Sequence, residues 1–299
     1  MKIGFSSLVC PEWDLEQVIA TAASSGFDGV ELHGVGGETP PPAASGLARD
    51  PEEARRKLVD SKVELICLSS PASLTSHSRS EVAATGAAIA EVVELASELS
   101  CPFVRIGAGD VDRWDYDRAA LSRVAYALRD LAPLASEKDV TLLVENGGDF
   151  PGSGDVWFAV DGADHPAVKA CWNQRNAMII GERPTRSLHR LGSKIGLVHL
   201  CDARFDRQGE LYEYTPLGQG DGDIARQVDL LKGLTYGGYL VYEWPKAWAR
   251  ALPGPETALA DAAKFMRECI EAEQTVLTAY KGDKNPPRIV SRCPVTSEP

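Results

Sequence analysis

The sequence predicts a single α/β domain in which eight parallel strands form a (β/α)8 barrel. Two observations favour this fold. Short apolar runs alternate with segments of helical periodicity, and eight such pairs fit the usual length of this barrel. The chain has 299 residues and is 44% hydrophobic, which is enough for one large core. We assign residues 1–280 to the barrel and the polar, proline-containing residues 281–299 to a C-terminal tail.

Each predicted strand is a short apolar run bounded by polar residues or glycine. The runs are residues 2–7, 27–32, 63–68, 103–106, 141–145, 168–173, 195–200 and 239–243. Asp14 and Gln17 form a capping box that begins the first helix, and Gly26 ends it. The last helix is predicted from residue 256 to about residue 280.

The segments between the strands include both helices and two glycine-containing loops. Helical spacing is present at residues 15–25, 80–99, 115–138, 154–163, 184–191 and 224–231, and another helix begins after Asp50 at a proline. Pro133 predicts a kink or a break. Residues 34–46 and 201–222 are predicted to be loops.

A doubly wound open sheet is the alternative architecture for alternating strands and helices. That fold commonly carries a glycine-rich phosphate loop after its first strand. No G-x-G-x-x-G pattern follows the first run here, and the glycines at residues 34–37 have the wrong spacing. The barrel therefore remains the predicted fold.

Charge and cysteine content limit the functional classes. The net charge of −12, from 31 basic and 43 acidic residues, disfavours nucleic acid as a partner. Seven scattered cysteines, an odd number, indicate free thiols in a reducing compartment. No apolar run approaches the ~20 residues of a membrane span, and the N-terminus lacks the apolar segment of a signal peptide. We expect a cytoplasmic protein that does not bind membranes.

Four of the apolar runs end at a side chain that can bind a metal ion. Glu145, Asn173, His199 and Glu243 follow or close the fifth to eighth predicted strands. In a (β/α)8 barrel these strand ends meet on one face, so the four side chains should converge. Such oxygen and nitrogen donors suit one divalent ion, Mn²⁺, Mg²⁺, Co²⁺, Fe²⁺ or Zn²⁺, and argue against a soft thiolate site. A lone glutamate at a strand end is more often a salt-bridge partner, but four successive donors favour the metal.

The motifs around these donors are similar to those of a known family. They are the segments FDGVE at residues 27–31, VEN at 144–146, CWNQRNA at 171–177, VHLCDA at 198–203, PLGQGD at 216–221 and YE at 242–243. In this order the chain resembles the xylose isomerase-like TIM barrels of the sugar phosphate isomerase/epimerase superfamily, over about residues 1–275.

The resemblance implies a metal site made of Glu145, Asn173, His199 and Glu243. The family usually has aspartate where this chain has Asn173, so the site loses one negative charge. An amide oxygen can still bind a metal, but binding should be weaker and the ion a stronger Lewis acid. Many epimerases of the family have histidine where this chain has Asn176, so a changed substrate contact is expected there.

The resemblance also implies isomerisation or epimerisation of a sugar or polyol next to a carbonyl, through an enediolate. Glu145 and Glu243 are the candidate groups that remove and return the proton. Candidate substrate-binding residues are Glu31, His33, Asn176, Asp202 and Arg204. Asp202 and Arg204 follow the seventh strand and are expected to orient His199 and contact substrate, with a loop salt bridge as the alternative. Arg105 is expected either to bind a phosphate or carboxylate or to pair with a barrel acid.

Two other functions remain open on the same scaffold. A lyase, such as an inosose or dehydroshikimate dehydratase or a C-glycoside-cleaving enzyme, would use the same metal and base and then expel a substituent. A non-catalytic sugar-binding protein is the second alternative, given Asn173. An abasic-site endonuclease would need more histidines at the strand ends and a basic surface. A homo-oligomer is compatible with the sequence.

Overall fold

Eight parallel strands close into a barrel in the computed structural model, which describes residues 1–37, 39–111, 117–206 and 211–272. The described residues contain ten strands, of which all but β8 and β9 belong to the barrel. They are β1 (Lys2–Ser6), β2 (Gly29–His33), β3 (Glu64–Ser69), β4 (Phe103–Gly107), β5 (Thr141–Glu145), β6 (Val168–Asn173), β7 (Ile195–Leu200), β8 (Asp202–Phe205), β9 (Leu211–Thr215) and β10 (Tyr239–Tyr242). Strand β1 pairs with β2 on one side and with β10 on the other, which closes the barrel. Strands β8 and β9 lie outside it as an antiparallel hairpin.

Helices connect the barrel strands and form the outer layer. They are α1 (Leu15–Ser25), α2 (Pro42–Arg49), α3 (Pro51–Ser61), α4 (Arg79–Glu98), α5 (Asp117–Glu137), α6 (Ser153–Ala163), α7 (Gln174–Ile179), α8 (Pro184–Leu191), α9 (Ile224–Gly233) and α10 (Pro255–Glu271). The capping box predicted at Asp14 and Gln17 is present, and Gly26 ends α1 with a φ of 78°. Helix α5 continues through Pro133.

The apolar side chains divide between two layers, as the barrel fold requires. A large core lies between the outer faces of the strands and the helices. A smaller cluster fills the barrel interior and consists of Ile66, Cys67, Leu143, Cys171, Leu197 and Val241. Strands buried on both faces need apolar residues at nearly every position, which explains why they appear as continuous runs in the sequence. The inner cluster forms a floor beneath the carboxyl ends of the strands.

The structure differs from the sequence prediction at three segments. The predicted loop at residues 34–46 contains the start of α2, which has proline at its first position and buries Leu47. The short helix α7 directly follows β6, where no helix was predicted. The predicted loop at residues 201–222 contains the β8–β9 hairpin. Helix α10 ends at Glu271, and the predicted tail at residues 281–299 lies outside the described residues.

Two further expectations concern thiols and membranes. The six cysteines within the described ranges are free and buried, whereas Cys293 lies outside them. Among the helices of the described ranges, none combines the length and the apolar character needed to span a bilayer.

Candidate active site

The four predicted donors meet at the carboxyl ends of β5, β6, β7 and β10. In the sheet, Asn173 is in register with His199, and the backbone amide of Glu243 bonds to the Leu200 carbonyl at 2.9 Å. A cavity of about 290 Å³ opens above them, and its lining includes Glu145, Asn173 and Glu243. The carboxyl-terminal face of the barrel thus carries the site, as the strand-end pattern predicts.

His199 lies at the centre of the cluster and is fully buried. Its Nδ1 atom lies 2.7 Å from Glu145 and 3.2 Å from Glu243, and its Nε2 atom lies 2.7 Å from Glu31. Burial alone would lower the pKa of His199, but the closeness of Cys171 and the three glutamates raises it well above its ordinary value. The ring is therefore a cation held between carboxylates on both of its nitrogens.

Arg105 is a second buried cation at this site, in the middle of β4. Its guanidinium donates to Glu145 and to the Ser69 hydroxyl, and its Nε atom lies 3.4 Å from Glu31. Burial would raise the pKa of Glu145, but Arg105 and His199 lower it below its ordinary range. Of the two roles left open for Arg105 by the sequence, the structure shows the pairing with barrel acids.

Asn173 lies between the two strand-end carboxylates and presents its amide nitrogen to them. The Nδ2 atom donates to Glu145 at 2.8 Å and to Glu243 at 2.7 Å. The amide oxygen accepts from the backbone N–H of Asn176 at 3.3 Å, which makes Asn173 the N-cap of α7. Metal binding through that oxygen would therefore require the amide to turn over and the cap to be lost.

Asn146 fixes the backbone of this residue. Its side chain accepts from the Asn173 N–H at 2.7 Å and donates to the Asn173 carbonyl at 2.8 Å. Both asparagines are buried, so these bonds form without competition from water. The position of the Asn173 amide between the carboxylates is thus set by the end of β5.

The donors present fit a divalent ion. One oxygen each of Glu145 and Glu243 lies 2.7 and 3.2 Å from Nδ1 of His199, and a metal ion bound to that nitrogen would take the place of its proton. Among the described residues, the side chains whose ligand atoms all lie within 4.8 Å of one another are Glu145, Cys171 and His199, so the Cys171 thiol also belongs to the cluster, and Glu243 lies outside this tighter set. The sequence argued against a thiolate site, but the structure brings a thiol to this one.

The residues predicted to bind substrate separate into two groups. His33 and Asn176 line the cavity. Glu31 is fully buried below the cavity, where it contacts His199 and Arg105 instead of open space. The Nε2 atom of His199 is therefore bound by Glu31 and not by the expected Asp202.

Asp202 and Arg204 lie outside the cavity. The carboxylate of Asp202 accepts from the backbone N–H groups of Gly218, Gly220 and Gly222 at 2.8, 3.0 and 3.0 Å. A Cβ atom at Gly220 would lie 2.3 Å from that carboxylate, which explains why glycine is required there. The half-exposed Arg204 pairs with Glu213 of the hairpin at 3.4 Å. This is the loop salt bridge that the sequence left open.

Two further residues that line the cavity are Arg175, which was not identified from the sequence, and Trp248, which the sequence offered as a residue that packs on sugar C–H faces or in the core. Arg175 lies on α7, two positions after Asn173, and lines the cavity. Trp248 packs edge-on against His33 at the same cavity, with ring centroids 5.6 Å apart. The only sequence signal for Arg175 was its position next to a predicted ligand, since α7 itself was not predicted.

Comparison with known structures supports the same fold. The IolI protein with a bound zinc atom matches with a TM-score of 0.77 at 14% identity, over 90% of this chain and 98% of that one. D-Psicose 3-epimerase from Clostridium cellulolyticum H10, with D-tagatose, matches with a TM-score of 0.74 at 18% identity, over 91% and 100%. The probable 3-DHS dehydratase AsbF from Bacillus anthracis matches with a TM-score of 0.72 at 17% identity, over 89% and 99%.

Comparison of the sequence with family models gives a match that covers most of the chain. No curated protein matches this sequence. The model described as xylose isomerase-like TIM barrel matches residues 19–269, which include all four strand-end donors. The chain therefore belongs to the xylose isomerase-like TIM barrel family.

Proposed function

We propose that this protein is a metal-dependent isomerase or epimerase that moves a proton next to the carbonyl of a sugar or sugar-derived substrate. The observation that carries the proposal is the pair of carboxylates, Glu145 and Glu243, at one cavity. They lie on either side of the Asn173 amide nitrogen, at 2.8 and 2.7 Å. Two carboxylates in unlike surroundings at one site can serve as the acid and the base of such a reaction.

The contacts of the two carboxylates suggest different roles. Glu145 accepts from Arg105, and this contact together with His199 lowers its pKa, which makes it the weaker base. Glu243 contacts His199 and Asn173, and among the described residues no arginine forms an ion pair with it. We therefore assign removal of the carbon-bound proton to Glu243. Glu145 is ionised, so it would deliver to the opposite face a proton that it takes up from solvent at the cavity.

The remaining residues of the site would bind, orient and stabilise. Glu145, His199 and Glu243 would hold a divalent ion, which when bound supplies stabilisation of the negative charge that develops on the substrate oxygens. Glu31 orients His199 through Nε2. His33 and Asn176 line the cavity and are placed to contact substrate hydroxyl groups.

The comparisons support an enzyme of this kind. Several of the matched structures are sugar epimerases, including a D-allulose 3-epimerase in complex with D-allulose and an L-ribulose 3-epimerase. The zinc atom of the IolI structure supports the metal. The dehydratase match supports a lyase as the second candidate, because elimination begins with the same removal of a proton next to a carbonyl.

Solvent exchange tests the proposal. The Mn²⁺-loaded protein is incubated in D₂O with D-fructose, D-allulose, D-fructose 6-phosphate and D-glucuronate, and deuterium at carbon is followed by NMR. Wild type should incorporate deuterium into at least one of these, and Glu243→Gln should lower the rate by about 100-fold or more. Glu213→Gln, on the hairpin, is the matched control and should leave it unchanged. Loss of water from a probe would assign the lyase. Absence of deuterium exchange into every probe would reject both the isomerase and the lyase.

A further inference from the structure

Arg175 presents a cation to the cavity. Its guanidinium lies over the Tyr214 ring, 5.8 Å from the centroid, within the range of a cation–π contact. Among the described residues, no aspartate or glutamate forms an ion pair with it, although the chain carries 43 acidic side chains. Its side chain is half-buried, so it is held at the cavity wall and is not free in solvent.

Each carboxylate deeper in the site already has a cationic partner. Glu31 and Glu145 contact Arg105 and His199, and Glu243 contacts His199. None of these ion pairs involves Arg175, and a divalent ion in place of the imidazole proton would, together with Arg105, balance the charge of the three carboxylates. The guanidinium of Arg175 can therefore pair with an anionic group of a ligand.

We propose that Arg175 binds a compact oxyanion of the substrate, a carboxylate or a phosphate, so that the substrate class is an anionic sugar or sugar-derived acid. This inference rests on the proposed function, since it names the substrate of the same site. The planar guanidinium offers paired N–H donors that match either oxyanion. Contact with the Tyr214 ring restricts the guanidinium in advance, which reduces the entropy lost when the anion binds.

The size of the cavity limits the rest of the molecule. At about 290 Å³ it lies at the lower end of the range for small-molecule pockets. It suits a ligand of monosaccharide size whose carbonyl end faces Glu145 and Glu243. The anionic group then lies at the α7 side of the cavity, against Arg175.

Calorimetric titration of the full-length, Mn²⁺-loaded protein tests this substrate class. The probes are neutral D-fructose, D-fructose 6-phosphate and D-glucuronate. Wild type should bind at least one anionic probe about tenfold or more tightly than D-fructose, equal to about 1.4 kcal/mol. Arg175→Gln should lose that preference without a change in the Kd of D-fructose, and Arg175→Lys should retain part of it. Arg204→Gln, an arginine outside the cavity, is the matched control and should behave as wild type.

The outcomes separate this inference from the proposed function. Tighter binding of D-glucuronate assigns a carboxylate, and tighter binding of the phosphate assigns a phosphate. Equal affinity of wild type for all three probes overturns the inference, as does an unchanged preference in a folded Arg175→Gln. Anion preference without deuterium exchange removes only the proposed function, whereas exchange into neutral sugars without anion preference removes only this inference.

Discussion

The carboxylate of Glu31 lies 2.7 Å from Nε2 of His199, and both side chains are fully buried within the barrel. The same carboxylate faces Nε of Arg105 at 3.4 Å. Glu31 thus joins the two buried cations of the site from the side opposite the cavity. Its removal would leave both of them short of negative charge in a region that water does not reach.

Glu31→Gln should therefore destabilise the protein. Removing one partner from a buried ion pair typically costs 3–5 kcal/mol, so we expect the free energy of unfolding to fall by about 3 kcal/mol at neutral pH. Urea denaturation measures this free energy of unfolding. Glu64→Gln is the control, because Glu64 pairs with Lys2 at the surface with both side chains half-exposed, and its loss should cost at most about 1 kcal/mol. Equal effects of the two substitutions would contradict this account of Glu31.

His33 predicts a dependence of stability on pH. Burial, assisted by Arg105, lowers the pKa of His33 from 6.5 to about 4. As pH falls from 6.5 towards 4, the unfolded chain binds a proton that the folded chain does not, so stability is lost in that window. Between pH 7 and pH 5 the free energy of unfolding should fall by about 1–2 kcal/mol more in wild type than in His33→Asn. Parallel profiles for the two proteins would show that His33 is not held neutral.

Asn173→Asp should strengthen metal binding. The substitution replaces a donor between Glu145 and Glu243 by a third carboxylate, so the metal-free protein should become less stable. A divalent ion relieves that repulsion, and its affinity should rise by about tenfold or more, equal to about 1.4 kcal/mol. Mn²⁺ titration measures the Kd of each protein. Asn176→Asp adds the same charge at a cavity residue whose amide bonds to the Asn146 carbonyl, and it should have the smaller effect. An unchanged Kd in Asn173→Asp would remove this position from the metal site.

Much of the fold could be predicted from the sequence because barrel strands are buried on both faces. Their apolar runs are short and uninterrupted, and the observed bounds of β5, β6 and β7 are those of the predicted runs. The segments that were missed depend on tertiary contacts. Helix α7 has only six residues and begins at the Asn173 cap, and the β8–β9 hairpin is anchored by Asp202 through glycine N–H groups. Neither has a periodic pattern long enough to be recognised.

The four strand-end members of the candidate site could be predicted, but their contacts could not. Strand-end position was sufficient to bring Glu145, Asn173, His199 and Glu243 together. The orientation of the Asn173 amide depends on a cap to Asn176, and the partner of His199 on its far side is Glu31, which is 168 residues away in the chain. Such pairings between distant residues have no local signature, so the sequence indicated Asp202 for the role that Glu31 fills.

The most direct test of the central claim is equilibrium titration of the metal-free protein with Mn²⁺, for wild type and His199→Ala. We predict that wild type binds a single ion per chain and that His199→Ala loses stoichiometric binding, because Nδ1 of His199 lies between Glu145 and Glu243. Circular dichroism of the variant shows that it is folded. Absence of saturable binding in wild type, or an unchanged Kd and stoichiometry in folded His199→Ala, would contradict the assignment of this cluster as a metal centre.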